Sequence, residues 1–143
     1  MSVEAILKHK GRHLYTIRPE HTLVDAATLL AGKKVGATVV CDAKGRIVGI
    51  VSERDVVTAV VQFGKGALEM PVRNIMSSPV LTCELSDSVK RITEVMNERH
   101  IRHLPVVDGE ELVGMVSIRD AVDFRLRETQ LEVGVLRDFA AVR

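Results

Sequence analysis

The chain has 143 residues and a formal net charge of +1, with 46% hydrophobic and 27% charged residues. Positive and negative residues are interleaved, which disfavours nucleic-acid binding, because proteins of that class usually carry a clustered basic footprint. No apolar run approaches the ~18 residues of a membrane span, and the amino terminus lacks the pattern of a secretory signal. We expect a cytoplasmic protein whose core is aliphatic, since only one Tyr, three Phe and no Trp occur.

The first elements in chain order are a helix, a short strand and a second helix. Residues 3–10 are predicted to form an amphipathic helix that ends at Gly11. A short strand is predicted at residues 14–17. Thr22 can cap the next helix, whose apolar positions recur at helical spacing: Leu23, Ala26, Ala27 and Leu30.

A β-hairpin and a helix complete the first half of the chain. Strands are predicted at residues 37–41 and 46–51, with a turn between them at residues 42–45. Ser52 then begins a helix of about ten residues. A linker at residues 62–71 follows, and it leads into a helical turn.

The second half repeats this order. A strand is predicted at residues 80–82, and Ser86 is predicted to cap a helix with the apolar face Val89, Ile92 and Met96. A second hairpin, with strands at residues 103–107 and 112–116, leads to a helix that begins at Ser117. The tail beyond Arg127 also has helical spacing.

The most informative feature of the chain is an internal repeat. Residues 48–55 and 113–120 are identical at six of eight positions, and both end in Ser-x-Arg-Asp. The surrounding units span roughly residues 14–60 and 80–126, each in the order β-α-β-β-α. Domains of about 60 residues bury only about 60% of their chain surface. We therefore expect the two copies to share one core in a single domain.

This pattern resembles the tandem CBS-domain module (cystathionine-β-synthase domain, or Bateman module), in particular the small stand-alone bacterial type. The likeness runs from Ile6 to about Arg127, and its most specific parts are the two repeated motifs and residues 101–106. It implies an α+β fold in which two β-α-β-β-α repeats pack about a pseudo-two-fold axis. The repeats would cover residues 8–62 and 74–130 of one module spanning residues 1–143.

The resemblance also implies a function. Family members bind adenosine-containing ligands such as AMP, ADP, ATP, NAD(H) or S-adenosylmethionine, so it implies a non-enzymatic regulatory module without an obligatory cofactor. Asp55 and Asp120 would hold ribose hydroxyls, while Ser52 and Ser117 would approach the phosphate.

The resemblance further implies that each aspartate faces the hairpin entrance of the other repeat. One cleft would combine Asp55 with Arg102, His103 and residues 76–80, and the other would combine Asp120 with the region of Lys8 and residues 36–38. The full predicted set of ligand-binding residues is Lys8, Gly36, Ala37, Thr38, Ser52, Arg54, Asp55, Met76, Val80, Arg102, His103, Leu104, Pro105, Ser117, Arg119 and Asp120.

Two interpretations of the repeated motif stay open. Ser-x-x-Asp matches a capping box, which stabilises the start of a helix with no ligand present. A helix amino terminus also attracts phosphate, and an adjacent carboxylate can accept hydrogen bonds from a ribose diol. Arg102 and His103 correspond to Gly36 and Ala37 of the first repeat, so the two clefts should differ. An arginine suits phosphate, although this segment could equally be a solvated strand entrance.

Other chemistry has weaker support. His9 and His13 lack an acid that would complete a metal set, and no nucleophile with an accompanying base is visible, which disfavours an enzyme. The two cysteines, Cys41 and Cys83, fall in predicted strands and are interpreted as small buried thiols.

Apolar helix faces predict a homodimer. The residues that carry this prediction are Val56, Val57, Val60, Val122 and Leu126. The alternative function is a structural dimerisation module whose ligand clefts are vestigial, and a regulated protein partner is not identified by the sequence.

Overall fold

The computed structural model describes residues 1–141. Within these residues, six strands and five α-helices follow one another in the order α1 (Val3–Lys10), β1 (Thr16–Ile17), α2 (Leu23–Lys33), β2 (Ala37–Cys41), β3 (Ile47–Ser52), α3 (Glu53–Phe63), β4 (Cys83–Glu84), α4 (Val89–Arg99), β5 (His103–Asp108), β6 (Glu111–Ser117) and α5 (Ile118–Ala141). Two short 3-10 helices, Gly64–Glu69 and Val72–Asn74, follow α3. None of the helices within residues 1–141 is long and apolar enough to cross a lipid bilayer.

The chain divides into two compact units. The first unit is Leu14–Leu81, and the second unit combines Met1–His13 with the chain from Thr82 onward. Helix α1 therefore belongs to the unit that contains the second repeat, although it precedes the first repeat in sequence.

Each unit contains one three-stranded mixed sheet. The strand order is β1-β2-β3 in the first unit and β4-β5-β6 in the second. In both sheets the first pair of strands is parallel and the second pair is antiparallel. The predicted order β-α-β-β-α and the α+β class are confirmed.

The hairpin turns follow from their residues. In the first turn, Asp42 Oδ1 accepts hydrogen bonds from the backbone N–H groups of Lys44 and Arg46, both at 2.9 Å. Gly45 has φ +79° there, and Gly109 has φ +64° in the second turn, a region that favours glycine. Both predicted turns are confirmed.

Two boundaries in the second repeat were predicted wrongly. Ser88, not Ser86, caps α4, because its extended backbone lets its hydroxyl accept the N–H of Arg91 at 3.0 Å. The predicted strand at residues 80–82 is displaced as well, since β4 is Cys83–Glu84. The pairing explains the shift: Cys83 is buried opposite Val106, as Ile17 is opposite Val40.

Each unit has its own clusters of buried side chains. The main cluster of the second unit is Val3, Ile6, Leu7, Cys83, Val89, Ile92, Met96, Leu104, Val106, Val116 and Ala121. The first unit has two smaller clusters, one around Val40 and Val51 and one around Leu23 and Ala59. Three residues of α1 thus complete the core of the second repeat.

Each repeat is preceded by a segment that packs on a glycine of the other repeat. Leu7 precedes the first repeat and packs on Gly114 of the second, and Met76 precedes the second repeat and packs on Gly49 of the first. A Cβ atom on Gly114 of β6 would lie 3.1 Å from both Cδ atoms of Leu7, and one on Gly49 of β3 would lie 2.7 Å from Met76 Cγ. Ser77 also exchanges two backbone hydrogen bonds with Ile50, at 2.9 and 3.1 Å. Leu7 and Met76 therefore occupy equivalent places in the two units.

We predict that Gly49→Ala destabilises the protein, because the new methyl group would overlap Met76. Overpacking of this kind lowers the free energy of unfolding by about 1–3 kcal/mol. Gly32→Ala is the matched control, since Gly32 lies in α2 and a Cβ atom there would have no neighbouring atom within 4 Å. That variant should gain about 0.4–1 kcal/mol. Urea denaturation measures both, and equal effects of the two changes would contradict the packing described.

Candidate functional site

The repeated Ser-x-Arg-Asp motif lies where the last strand of each sheet meets the following helix. In the first unit, Asp55 Oδ2 accepts the backbone N–H of Ser52 at 2.8 Å, and Ser52 Oγ accepts the N–H of Asp55 at 3.2 Å. In the second unit, the same two bonds join Ser117 and Asp120 at 2.9 and 3.0 Å. Both motifs are therefore capping boxes at the starts of α3 and α5.

Capping leaves part of each carboxylate available. The N–H group of the serine donates to Oδ2 in both repeats, so the capping box does not use Oδ1 of either aspartate. Because a carboxylate oxygen accepts hydrogen bonds readily, Oδ1 is a fixed acceptor beside a helix amino terminus. The capping and binding interpretations are thus compatible in geometry.

The hairpin entrances lie beside these motifs. Ala37 pairs with Ser52 in the first sheet, and His103 pairs with Ser117 in the second. The carbonyl of Gly36 accepts the N–H of Glu53 at 2.9 Å, and that of Arg102 accepts the N–H of Ile118 at 2.8 Å. Each entrance is therefore adjacent to the motif of its own repeat.

Several predicted ligand residues have buried side chains. Thr38 is fully buried and its hydroxyl donates to the carbonyl of Tyr15 at 2.7 Å. Leu104 and Pro105 are buried in β5. The side chains of these three residues pack inside their units, so they could contact a ligand only through backbone atoms.

Ala37 is also buried, whereas most of the other predicted residues are more accessible. Arg54, Arg102 and Arg119 are exposed, while Met76 and Val80 are half-buried. Each predicted cleft combines residues of both compact units, and that combination stays a prediction.

Lys10 contacts Asp120, which the sequence analysis missed. Its Nζ donates to Asp120 Oδ2 at 2.7 Å and to the carbonyl of Met115 at 2.8 Å. Lys8, the predicted residue, is exposed and lies 3.5 Å from Glu4 in an ion pair on the surface of α1. Helical spacing could have identified Lys10 as the contacting lysine. Val3, Ile6 and Leu7 form the buried face of α1, and Lys10 continues that face.

Asp120 is a stabilised anion. Burial by itself would raise its pKa, but the hydrogen bond from Lys10, the bonds from Ser117 and the positive charge of Lys10 outweigh burial and hold the pKa below its ordinary value. The carboxylate is therefore ionised near pH 7 and available as an acceptor.

The two cysteines are free thiols, and both are buried. Cys41 ends β2 and Cys83 lies in β4. Burial raises the pKa of both thiols, that of Cys83 to about 12. A thiol is a poor nucleophile when protonated, so these cysteines have the structural character that the sequence predicted.

Comparison with protein-family models identifies the family. The CBS domain model matches the chain twice, at residues 4–62 and 72–127. The crystal structure of the CBS-domain containing protein ATU1752 from Agrobacterium tumefaciens is 36% identical, with a TM-score of 0.84 over 87% of this chain and 92% of that protein.

Two further proteins broaden the comparison. The CBS domain protein PAE2072 from Pyrobaculum aerophilum, solved in complex with AMP, is 35% identical, with a TM-score of 0.75 over 84% of this chain and 89% of that one. The protein MK0525 of Methanopyrus kandleri is 36% identical over 110 residues, which are 76% of this chain and 56% of MK0525.

The chain matches only part of the length of several curated relatives. This chain covers 56%, 40% and 64% of three archaeal relatives, so it spans roughly half the length of these curated proteins. Because the similar proteins come from archaea as well as bacteria, a specifically bacterial type is not established. The chain belongs to the CBS-domain family and contains two copies of that domain.

Proposed function

We propose that this CBS pair is a non-enzymatic regulatory module that binds an adenosine-containing ligand through Asp55 and Asp120. The observation that carries the proposal is the duplicated carboxylate, whose Oδ2 accepts a serine N–H in the capping box while Oδ1 takes no part in that box. A ribose diol presents hydroxyl donors that such an acceptor can bind. The exposed amino terminus of each helix would favour a phosphate nearby.

The comparisons favour a nucleotide. PAE2072, which is 35% identical over 84% of this chain, was solved in complex with AMP. We therefore propose AMP as the first ligand to test, followed by ADP, ATP and NAD(H). Arg102 is exposed at the entrance of the second hairpin, and its planar guanidinium suits phosphate.

A regulatory role requires more than affinity. A ligand shifts a conformational equilibrium only if it binds one arrangement more tightly than the other. We propose that ligand binding alters the surface offered to a protein partner. We also propose a reducing compartment such as the cytoplasm, because free buried thiols fit it.

We also propose that the module is a homodimer. Four apolar residues at equivalent places of α3 and α5 are exposed: Val57 at 63%, Val61 at 82%, Val122 at 47% and Leu126 at 54%. Val56, which the sequence analysis included in this face, instead packs against the core of the first unit. Exposed apolar side chains grouped in this way on a helix usually mark an interface. The same surface supports the alternative function, a structural dimerisation module without a ligand.

If the dimer forms through these faces, the double variant Val61→Glu, Leu126→Glu should be monomeric, because four charges would be buried in the dimer. Val24→Glu is the control, since Val24 is 45% exposed and lies on α2, a helix that is not part of the proposed faces. Light scattering at micromolar concentration should give two chains for the parent and control and one for the double variant. A parent mass of one chain would contradict the proposal.

The two aspartates distinguish ligand binding from capping alone. We expect Asp55→Asn and Asp120→Asn each to weaken nucleotide binding by about 1.5–3 kcal/mol, roughly 10- to 150-fold, because a charge-assisted acceptor is lost. The stability cost should be about 0.5–1 kcal/mol for Asp55→Asn and about 1–2 kcal/mol for Asp120→Asn, which also loses the ion pair with Lys10.

Calorimetric titration of both single variants and the double variant measures the binding change, and thermal denaturation measures the stability. Variants that melt lower but bind nucleotide as the parent does would show that the aspartates are only helix caps.

We expect adenine nucleotides to stabilise the chain more than guanine nucleotides. A ligand that binds only the folded form adds about 2.7 kcal/mol at a hundredfold excess over Kd. Melting temperatures measured with AMP and GMP at equal concentrations test this selectivity. Equal shifts with the two nucleotides would argue against an adenine site.

A further inference from the structure

The two candidate aspartates differ in their charge environment. Asp120 forms an ion pair with Lys10, whose side chain is 30% exposed beside a carboxylate that is 24% exposed. Within the part of the chain that the structure describes, no lysine or arginine forms an ion pair with Asp55. The asymmetry follows from the packed segments. Helix α1 ends at Lys10, three residues after the Leu7 that packs on Gly114, whereas the chain beyond Met76 contains no lysine or arginine until Lys90.

We infer that Lys10 is a second ligand contact of the Asp120 site and makes that site prefer an adenosine nucleotide whose ribose carries a phosphate beside a free hydroxyl. This inference rests on the proposed function, since it assumes that Asp120 binds ribose.

The hydrogen-bonding capacities of the pair support this preference. An ammonium group has three N–H donors, and Lys10 uses two of them, on Asp120 Oδ2 and on the carbonyl of Met115. Asp120 Oδ2 accepts from both Lys10 and the N–H of Ser117, which leaves Oδ1 as the acceptor for a ligand. The pair therefore offers one donor and one acceptor side by side.

A plain diol and a phosphorylated ribose would use these groups differently. With a carboxylate that has no cation beside it, two hydroxyls can donate to the acid, but a phosphate at either position would be repelled. At Asp120 one hydroxyl can donate to Oδ1 while Lys10 donates to a neighbouring phosphate oxygen. The positive charge of Lys10 offsets the negative charge of the Asp120 carboxylate, which removes the repulsion between that carboxylate and the phosphate.

Lys10 is also held in place by the fold. It is the last residue of α1, and the buried residues Val3, Ile6 and Leu7 fix that helix on the second repeat. Two hydrogen bonds at 2.7 and 2.8 Å orient its ammonium group. A ligand would therefore meet a fixed cation, which limits the entropy lost on binding.

The test compares adenosine 5′-phosphate with adenosine 2′,5′-bisphosphate and adenosine 3′,5′-bisphosphate by calorimetric titration. All titrations use an Asp55→Asn background, so that the Asp120 site is measured alone. We expect Lys10→Met to weaken the preferred bisphosphate by at least about tenfold, as the loss of a charge-assisted hydrogen bond implies, and the 5′-phosphate much less.

Two control variants accompany Lys10→Met. Lys8→Met removes the same charge from an exposed position of the same helix and should leave the ratio of the two affinities unchanged. Lys10→Arg retains a cation and should preserve most of the preference. Circular dichroism of each variant verifies that α1 and the remaining helices are folded.

Three outcomes would overturn the inference. A Lys10→Met variant that binds the 5′-phosphate more tightly would show that Lys10 competes with the ligand. Equal losses for all three nucleotides, or equal effects of the Lys8 and Lys10 variants, would show a general effect of charge. If none of the nucleotides binds the parent chain, the proposed function fails and this inference fails with it, whereas binding that depends on Asp120 but not on Lys10 rejects the inference alone.

Discussion

The close packing of a side chain on a strand glycine is the constraint from which the arrangement of each unit follows. Gly114 has no side chain, and Leu7 occupies the space that a Cβ would need. This contact holds α1 on the sheet of the second repeat, where its backbone also reaches Asp87 and Leu85 through hydrogen bonds of 2.9 and 3.0 Å. Since Lys10 lies one helical turn beyond Leu7, the same contact brings its ammonium group to Asp120.

The first unit satisfies the same constraint with different chemistry. Met76 fills the space above Gly49, but the chain that follows it is not helical and pairs with β3 through Ser77. No turn of helix then carries a cation toward Asp55. Two repeats with nearly identical motifs thus acquire different electrostatic surroundings from the segments that pack on them, a difference that the motifs themselves do not contain.

Local signals in the sequence were sufficient for most elements. The spacing of Leu23, Ala26 and Leu30, the turn at residues 42–45 and the cap at Ser52 each depend on neighbours within a few residues, and the structure has all three. The repeat could also have corrected one mistake. Thr22 caps α2, and the offset of 66 that relates Val40 to Val106 leads from Thr22 to Ser88, the residue that caps α4.

Long-range packing was harder to predict. The attachment of α1 to the second repeat joins residues about a hundred positions apart, as in the bond between Lys10 and Asp120, and no local pattern specifies such a partner. The identity of the contacting lysine was nevertheless accessible. Lys10 extends the stripe of Val3, Ile6 and Leu7, whereas Lys8 lies on the exposed side of the helix.

The capping role of the two aspartates strengthens the case for binding. The hydrogen bond from the serine N–H to Oδ2 fixes the side-chain rotamer before any ligand arrives, so the carboxylate loses little further freedom when a hydroxyl binds Oδ1. A free aspartate on a loop would have to be ordered by the ligand itself. A short motif that stabilises a helix start without a ligand therefore also presents a preorganised acceptor, and its duplication provides two such acceptors on two sheets of the same design.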